Sequence, residues 1–225
     1  MANHVSSYVH FRNISEEGKA KLEELYNRLD GFDDESKWDF AGEDFFGEQR
    51  VQDEEGNDVD GPGFYSWNIE KMGAKWVTVE SCDDDQFQLT SAWSVPWDLI
   101  EYVANQVREV DPDVFVTVEY DDEMPNFVGW ATWHHGSYDE GREWEWSEIR
   151  EWMCNNNSEL AEMWDEENDD WFEDTSDEAY ELVWEEQSEF MEMVKYQTLM
   201  DEVQWYEEHE EEILAELAEM EDETV

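Results

Sequence analysis

The chain carries 65 Asp and Glu residues against 12 Lys and Arg, a formal charge of −53, yet 15% of its residues are aromatic and 14 are Trp. These two facts pull in opposite directions. Strongly charged chains that are poor in aromatics stay disordered, because they have too little apolar surface to offset the loss of chain entropy. Here the apolar fraction is 40%, so the sequence predicts a folded protein with an intensely anionic surface. Twelve cations scattered through such a field cannot form a basic footprint, which argues against direct binding to nucleic-acid phosphates. Anionic membrane surfaces are repelled for the same reason. The charge points to a cationic partner.

Its distribution along the chain is uneven. Residues 1–135 hold 31 acids and 9 bases, a net −22, whereas residues 136–225 hold 34 acids and 3 bases, a net −31. The pattern breaks at Gly136–Gly141 (GSYDEG), which places the expected domain boundary there and gives regions 1–135 and 136–225. A chain of 225 residues is long enough for one or two domains. No stretch approaches the roughly 18 apolar residues of a membrane span. The opening MANHVSSYVHF has no basic segment ahead of an apolar core, so the expected compartment is the cytoplasm. Cys82 and Cys154 are too few for a disulfide framework and read as reduced residues.

Residues 1–135 read as a small α+β domain. Residues 7–14 alternate and carry β-formers, predicting a strand. Ser15 then stands as an N-cap ahead of Glu16 and Glu17, with Leu22, Leu25, Tyr26 and Leu29 at helical spacing and Gly31 placed to stop the helix. Residues 30–65 form a long polar insertion, part of which packs down through Phe40, Phe45 and Phe46. Strands follow at Trp76–Glu80 and Phe87–Trp93 around an Asp83–Asp85 turn. Pro96 opens a helix whose Leu99, Ile100, Val103 and Val107 share one face, and Asp111–Pro112 closes it. Val114–Tyr120 and Phe127–His134 complete the pattern as a hairpin. The order β-α-β-β-α-β, with one extra strand, is the split-βαβ or ferredoxin-like arrangement.

Two segments carry a resemblance. WNIEKMGAKW (Trp67 to Trp76), then a strand, then SAWSVPW (Ser91 to Trp97) resembles the signature of a phage and prophage family with a ferredoxin-like N-terminal domain. Ala74 stands where that family more usually has Thr, and Val95 where it has Pro. The resemblance covers roughly residues 1–135 and implies phage origin and a fold, with no known chemistry attached. Phage origin would make the expected compartment the host-cell cytoplasm. The Trp and Gly residues of the two segments read as core and turn positions.

The remaining 90 residues read as acidic helices. Trp146, Ile149, Trp152, Met153, Leu160, Met163 and Trp164 recur at helical spacing, interrupted by Asn155–Ser158, with Ser158 offered as an N-cap. Asn168–Thr175 reads as a turn region. From Ser176 to Met220 there is no Gly or Pro, and apolar residues return every three or four positions. That predicts a long amphipathic helix over 176–220, or two with a kink near Tyr196–Leu199, whose apolar face needs cover from this chain or from a second copy.

Nothing in the chain announces catalysis. Carboxylates are so numerous that pairs at acid–base spacing arise by chance. HExxH, CxxC, P-loop, GxGxxG and GxSxG motifs are all absent. His134 and His135 would face opposite sides of a strand, which disfavours a shared metal. Asp53–Gly61 (DEEGNDVDG) has its glycine misplaced for a calcium loop. The reading is a non-enzyme with no metal and no cofactor.

In overall character the chain resembles phage DNA-mimic proteins, whose carboxylates stand in for phosphates. The expected partner is a basic DNA-binding host protein, with restriction or CRISPR-type nuclease complexes placed first. The expected contact residues are Asp165, Glu166, Glu167, Asp169, Asp170, Glu173, Asp174, Glu185, Glu186, Glu189, Glu207, Glu208, Glu210, Glu211 and Glu212. Of Trp144 and Trp146, which could not both face one core from a helix, one is expected as an exposed contact. The alternatives are an acidic adaptor or chaperone for a basic protein (polymerase, nucleoid or virion component) and a salt-adapted protein without mimicry. A charge count limits the mimic. Residues 177–220 hold 16 acids and Lys195, so a straight helix of roughly 66 Å carries about one net charge per 4.4 Å. Duplex DNA carries about one per 1.7 Å, so several elements must combine to match it.

Overall fold

The computed structural model describes residues 3–29, 51–60, 65–123, 126–134, 137–165, 167, 170–171 and 176–223. The chain is α+β and divides into two compact units, Met1–Ser147 and Glu148–Val225.

In the first unit six strands form one antiparallel sheet: β1 (His4–Arg12), β4 (Lys75–Cys82), β5 (Gln86–Ala92), β6 (Phe115–Asp122), β7 (Phe127–His134) and β8 (Ser137–Glu145). Their order across the sheet is β4-β5-β1-β6-β7-β8. The two-residue period explains which face is buried. Val5, Val9 and Phe11 of β1 point to one side, as do Phe87 and Leu89 of β5 and Val116, Val118 and Tyr120 of β6. Helices α1 (Glu16–Leu29), α2 (Tyr65–Met72) and α3 (Trp97–Arg108) contribute Leu22, Leu25, Trp67, Met72, Leu99, Ile100, Val103 and Val107 to the same core. Trp97 packs edge-on against Tyr120 at 5.1 Å, joining α3 to the sheet.

Local chemistry sets the ends of these elements. Ser15 Oγ accepts the Gly18 amide at 3.1 Å, and the Ser15 amide donates to Asp111 at 2.6 Å, which starts α1 as a capped helix tied to the end of the α3 segment. Gly31 lies outside the described residues, as do Phe40, Phe45 and Phe46. Of the expected insertion, residues 51–60 form a small hairpin, β2 (Val51–Gln52) with β3 (Asp58–Asp60), and α2 begins at Tyr65. Sequence patterning does not reveal α2, which has eight residues, buries Trp67, Asn68 and Met72 among its described side chains, and gives too short a periodic signal.

The boundary expected at Gly136–Gly141 is corrected. Gly136 lies outside the described residues, whereas Gly141 lies within β8, which pairs with β7 through Phe127↔Glu145, so the sheet runs to Glu145 before the second unit begins. The strand is rich in Asp, Glu and Gly, residues of low β propensity, and that hides it from pattern reading. An outer strand that bristles with charge also resists edge-to-edge pairing. Gly129 of β7 is required: Tyr120 lies across it and donates its hydroxyl to Glu143 at 3.0 Å, so a Cβ at 129 would run into the Tyr120 ring.

Helix α4 (Trp146–Asn156) begins two residues before the second unit, in which α5 (Ser158–Met163), a two-stranded ribbon of β9 (Trp164–Asp165) and β10 (Asp170–Trp171), and a long helical run follow. The N-cap of α5 is Asn157, one residue before the expected Ser158, and its Oδ1 accepts from the Glu159 and Leu160 amides at 3.0 and 3.3 Å. The long run is α6 (Ser176–Phe190), a π-helical turn at Met191–Tyr196, then α7 (Gln197–Glu223). It is one uninterrupted helical path, and its irregularity lies just ahead of the expected kink at Tyr196–Leu199. The buried residues explain that turn. Ala179, Val183, Gln187, Phe190, Lys195, Leu199 and Val203 advance by steps of four, four, three, five, four and four. The five-residue step crosses the π turn, whose i→i+5 bonding absorbs one extra residue and keeps the buried stripe in phase. Phe190 packs edge-on against Trp152 of α4 at 5.4 Å. No described helix is long and apolar enough to cross a membrane.

Two outcomes follow from this packing. Gly129→Ala lowers thermal stability by about 2 kcal/mol, because the added carbon overpacks against Tyr120; an unchanged melting curve would contradict the Tyr120↔Gly129 register of β6 and β7. Deleting Met193, which is 64% exposed within the π turn, lets that turn close as α-helix with the buried stripe still in phase. Far-UV helicity and the melting temperature should then stay the same or rise, whereas loss of a cooperative transition would show that the π turn itself is required.

Candidate functional site

The second unit contains 30 acids and 2 bases. Both bases are drawn inward. The Arg150 guanidinium lies over the Trp164 ring, 4.0 Å from its centroid. Lys195, the single base of the long helical run, is 2% exposed. With both cations drawn in, about half of the exposed side chains described in the unit are carboxylates, and the rest are polar, aromatic or apolar rather than cationic. Periodicity places the base: Lys195 occupies the buried stripe between Phe190 and Leu199, while the exposed positions described on the run are shared between acids and uncharged polar, aromatic or apolar residues.

The expected contact residues fall into two groups on that helix. Glu185 and Glu189 are exposed on α6, and half-buried Glu186 accepts from Asn157 Nδ2 at 2.8 Å. That bond ties the start of α5 to α6, so Glu186 is partly structural. Glu207, Glu208 and Glu210 are exposed on α7, with Glu208 accepting from Gln204 at 2.8 Å. Glu211 and Glu212 continue the same helix. Between Glu189 and Glu207 the rise is roughly 27 Å at 1.5 Å per residue, so one helix carries two acidic groups spaced along its length. The ribbon contributes less. Asp165 is half-buried and accepts the Glu167 amide at 3.0 Å, fixing a turn, and it pairs in register with Asp170. Glu167 is exposed. Glu166, Asp169, Glu173 and Asp174 lie outside the described residues.

The aromatic expectation is corrected. Trp144 is 3% exposed, on β8 opposite Val128, with Arg142 over its ring at 4.5 Å. Trp146 is half-buried and begins α4. The two do not share a helix, because the chain changes from strand to helix between them. A run of alternating Glu and Trp carries no local signal of that change. The aromatics exposed among the described residues are Trp76 and Trp93 in the first unit and Tyr180, Trp184, Tyr196 and Trp205 on the long helical run.

Other chemistry-bearing groups have structural partners. Asp53, where a calcium loop would begin, accepts the Glu55 and Asn57 amides at 2.9 Å each. Hydrogen bonds from the Asn57 side chain and amide hold its carboxyl below the usual range. Burial, and then the charges of Asp83, Glu23 and Asp84, push the Cys82 thiol up to about 11. Burial also raises Cys154, so neither thiol supplies an activated thiolate near neutrality. His10 is lowered, first by burial and then by Arg12. His135 lies outside the described residues.

A surface of this charge repels itself, and salt relieves it. Between about 0.01 M and 1 M salt the screening length falls from roughly 30 Å to 3 Å. The melting temperature should rise by about 5 °C or more over that range, with the protein already folded at the lower end. A protein unfolded without molar salt would match salt adaptation, and a flat response would show that the carboxylates do not strain the fold. Compared with protein-family models, curated proteins and solved structures, the chain matches none.

Proposed function

We propose that this protein is a DNA mimic of phage type, which occupies the DNA-binding cleft of a host defence protein and inhibits it. The observation that carries the reading is the ordered helical run from Ser176 to Glu223, whose one base, Lys195, is 2% exposed while Glu181, Glu185, Glu189, Glu192, Asp201, Glu207, Glu208 and Glu210 are exposed. A flexible acidic tail would attract cations equally well but could not hold charges at fixed spacing. A basic cleft that evolved for phosphates offers the complementary field, and steered association with it would be fast and salt-sensitive. Because one helix has a lower charge density than a duplex, the mimic needs carboxylates from further elements beside it. Restriction and CRISPR-type nuclease complexes rank first as targets, since they act on invading DNA. In the first unit, β4, β5, β1 and β6 lie side by side in that order with α1 and α3 between strands in sequence. That arrangement supports a ferredoxin-like core, extended by β7 and β8, and agrees with the resemblance to the phage family. On this reading the protein acts in the host cytoplasm, has no catalytic role and needs no cofactor.

One observation favours the acidic adaptor as second reading. Trp184 and Trp205 are 60% and 48% exposed among the carboxylates, and a phosphate backbone has no counterpart to them. An adaptor for a basic protein would use such rings as anchors.

Capture of targets from host lysate, followed by competition with duplex DNA, separates the two. Under the mimic reading DNA displaces the captured protein. Reversing Glu207, Glu208, Glu210, Glu211 and Glu212 to Lys weakens capture at least about tenfold, the scale of a few lost charge pairs. Reversing Glu16 and Glu17 does far less. Simultaneous binding of DNA and this protein to one target would overturn mimicry in favour of the adaptor, and equal effects of the two reversals would remove the C-terminal interface.

A further inference from the structure

The two sequence segments that carry the family resemblance meet at one corner of the sheet. Lys75 opens β4 opposite Ala92 of β5, and Trp76 and Trp93 follow them in the chain. Both tryptophans have left-handed backbone, with φ of 51° and 70°. Bulky residues rarely adopt it, because of steric cost. Core packing does not repay this strain, since Trp76 and Trp93 are 41% and 54% exposed. The backbone instead brings both rings to one cation: the Lys75 ammonium lies 3.8 Å from the Trp76 centroid and 4.4 Å from that of Trp93. The corner is braced from behind, with Ser94 Oγ donating to the Gly73 carbonyl at 3.3 Å and the Trp93 amide to the Asn3 carbonyl at 3.1 Å.

We infer that Trp76 and Trp93 form a cation-binding slot that Lys75 fills in the free protein, and that an arginine side chain of a basic partner takes Lys75's place. The source of the arginine rests on the basic partner proposed above; the slot itself rests on its own geometry. Two indoles around one ammonium show that the rings can receive a cation. A guanidinium suits them better, because it is planar, less strongly hydrated than an ammonium and stacks on aromatic faces. The protein's net charge of −53 favours arrival of such a group. Lys75 competes with the incoming side chain, and it keeps the rings apart and ready until then.

Self-competition gives the test its sign. The full-length chain labelled with 5-fluorotryptophan, with Trp76 and Trp93 signals assigned through Phe variants, is titrated with N-acetyl-arginine methylamide near physiological salt. Saturable shifts are expected at Trp76 and Trp93 ahead of Trp184 and Trp205. Lys75→Gln should tighten binding by about threefold to tenfold, the range set by one cation–aromatic contact. Lys71→Gln, which removes the same charge from neighbouring α2, should change it little. Trp93→Ala should abolish the shift at Trp76. If that variant fails to fold, the Lys75→Gln comparison still decides. Binding that is unchanged or weaker in Lys75→Gln, or shifts that move together at all four tryptophans, would overturn the slot. Either result would leave the DNA-competition outcome, and with it the mimic reading, untouched.

Discussion

Electrostatic self-repulsion is the constraint on which the rest of this structure depends. A chain with net charge −53 gains no cohesion from its surface, so cohesion has to come from apolar burial, which is insensitive to charge. This explains the coexistence of so many aromatics with so many acids. Phe11, Phe87, Leu89, Leu99 and Ile100 are almost completely buried in the first unit, and Phe190 in the second. The few cations are placed sparingly. Lys19 and Lys21 pair with Glu16 and Glu24 along α1, while in the second unit the cations sit against rings or below the surface. Removing bases from the exterior makes repulsion worse, so the fold bears a cost that solubility alone does not require.

The helical run in the second unit shows how sequence and charge are reconciled. A strict α-helical period would carry the buried stripe past Lys195, and the π turn at Met191–Tyr196 restores it. The result is a helix that hides its one base and exposes no Lys or Arg among its described side chains. Under the proposed mimicry, such a surface would meet a partner whose own cations are fixed in a cleft. Trp184 and Trp205 stand exposed among its carboxylates.

Much of the fold is legible in the sequence because its period is strong. The alternation of β1, the β-branched run of β6 and the helical spacing of Leu99, Ile100, Val103 and Val107 all correspond to observed elements. What escapes has weak local signals. α2 is short, and β8 is a charged outer strand whose identity comes from pairing with β7 rather than from its own residues. The acidic groups are legible as composition, but their division into exposed Glu185 and Glu189 and the structural Glu186 depends on a tertiary partner, Asn157. The tryptophans are the hardest to read. Spacing suggests that Trp144 or Trp146 is exposed, and the Trp and Gly residues of the two segments that carry the resemblance read as core and turn positions. The structure buries Trp144, leaves Trp146 half-buried and exposes Trp76 and Trp93 at a sheet corner, because strand register and positive φ decide where each ring points.

Substitution of carboxylates for phosphates concerns the partner's residues as much as this protein's. The most direct measurement replaces with Ala, one at a time, the Lys and Arg residues through which a captured target contacts DNA phosphates. Affinity is then measured for duplex DNA and for this protein. If the carboxylates take the place of phosphates, the two affinities fall together, residue by residue. Variants that lose DNA and still bind this protein at full strength would contradict mimicry.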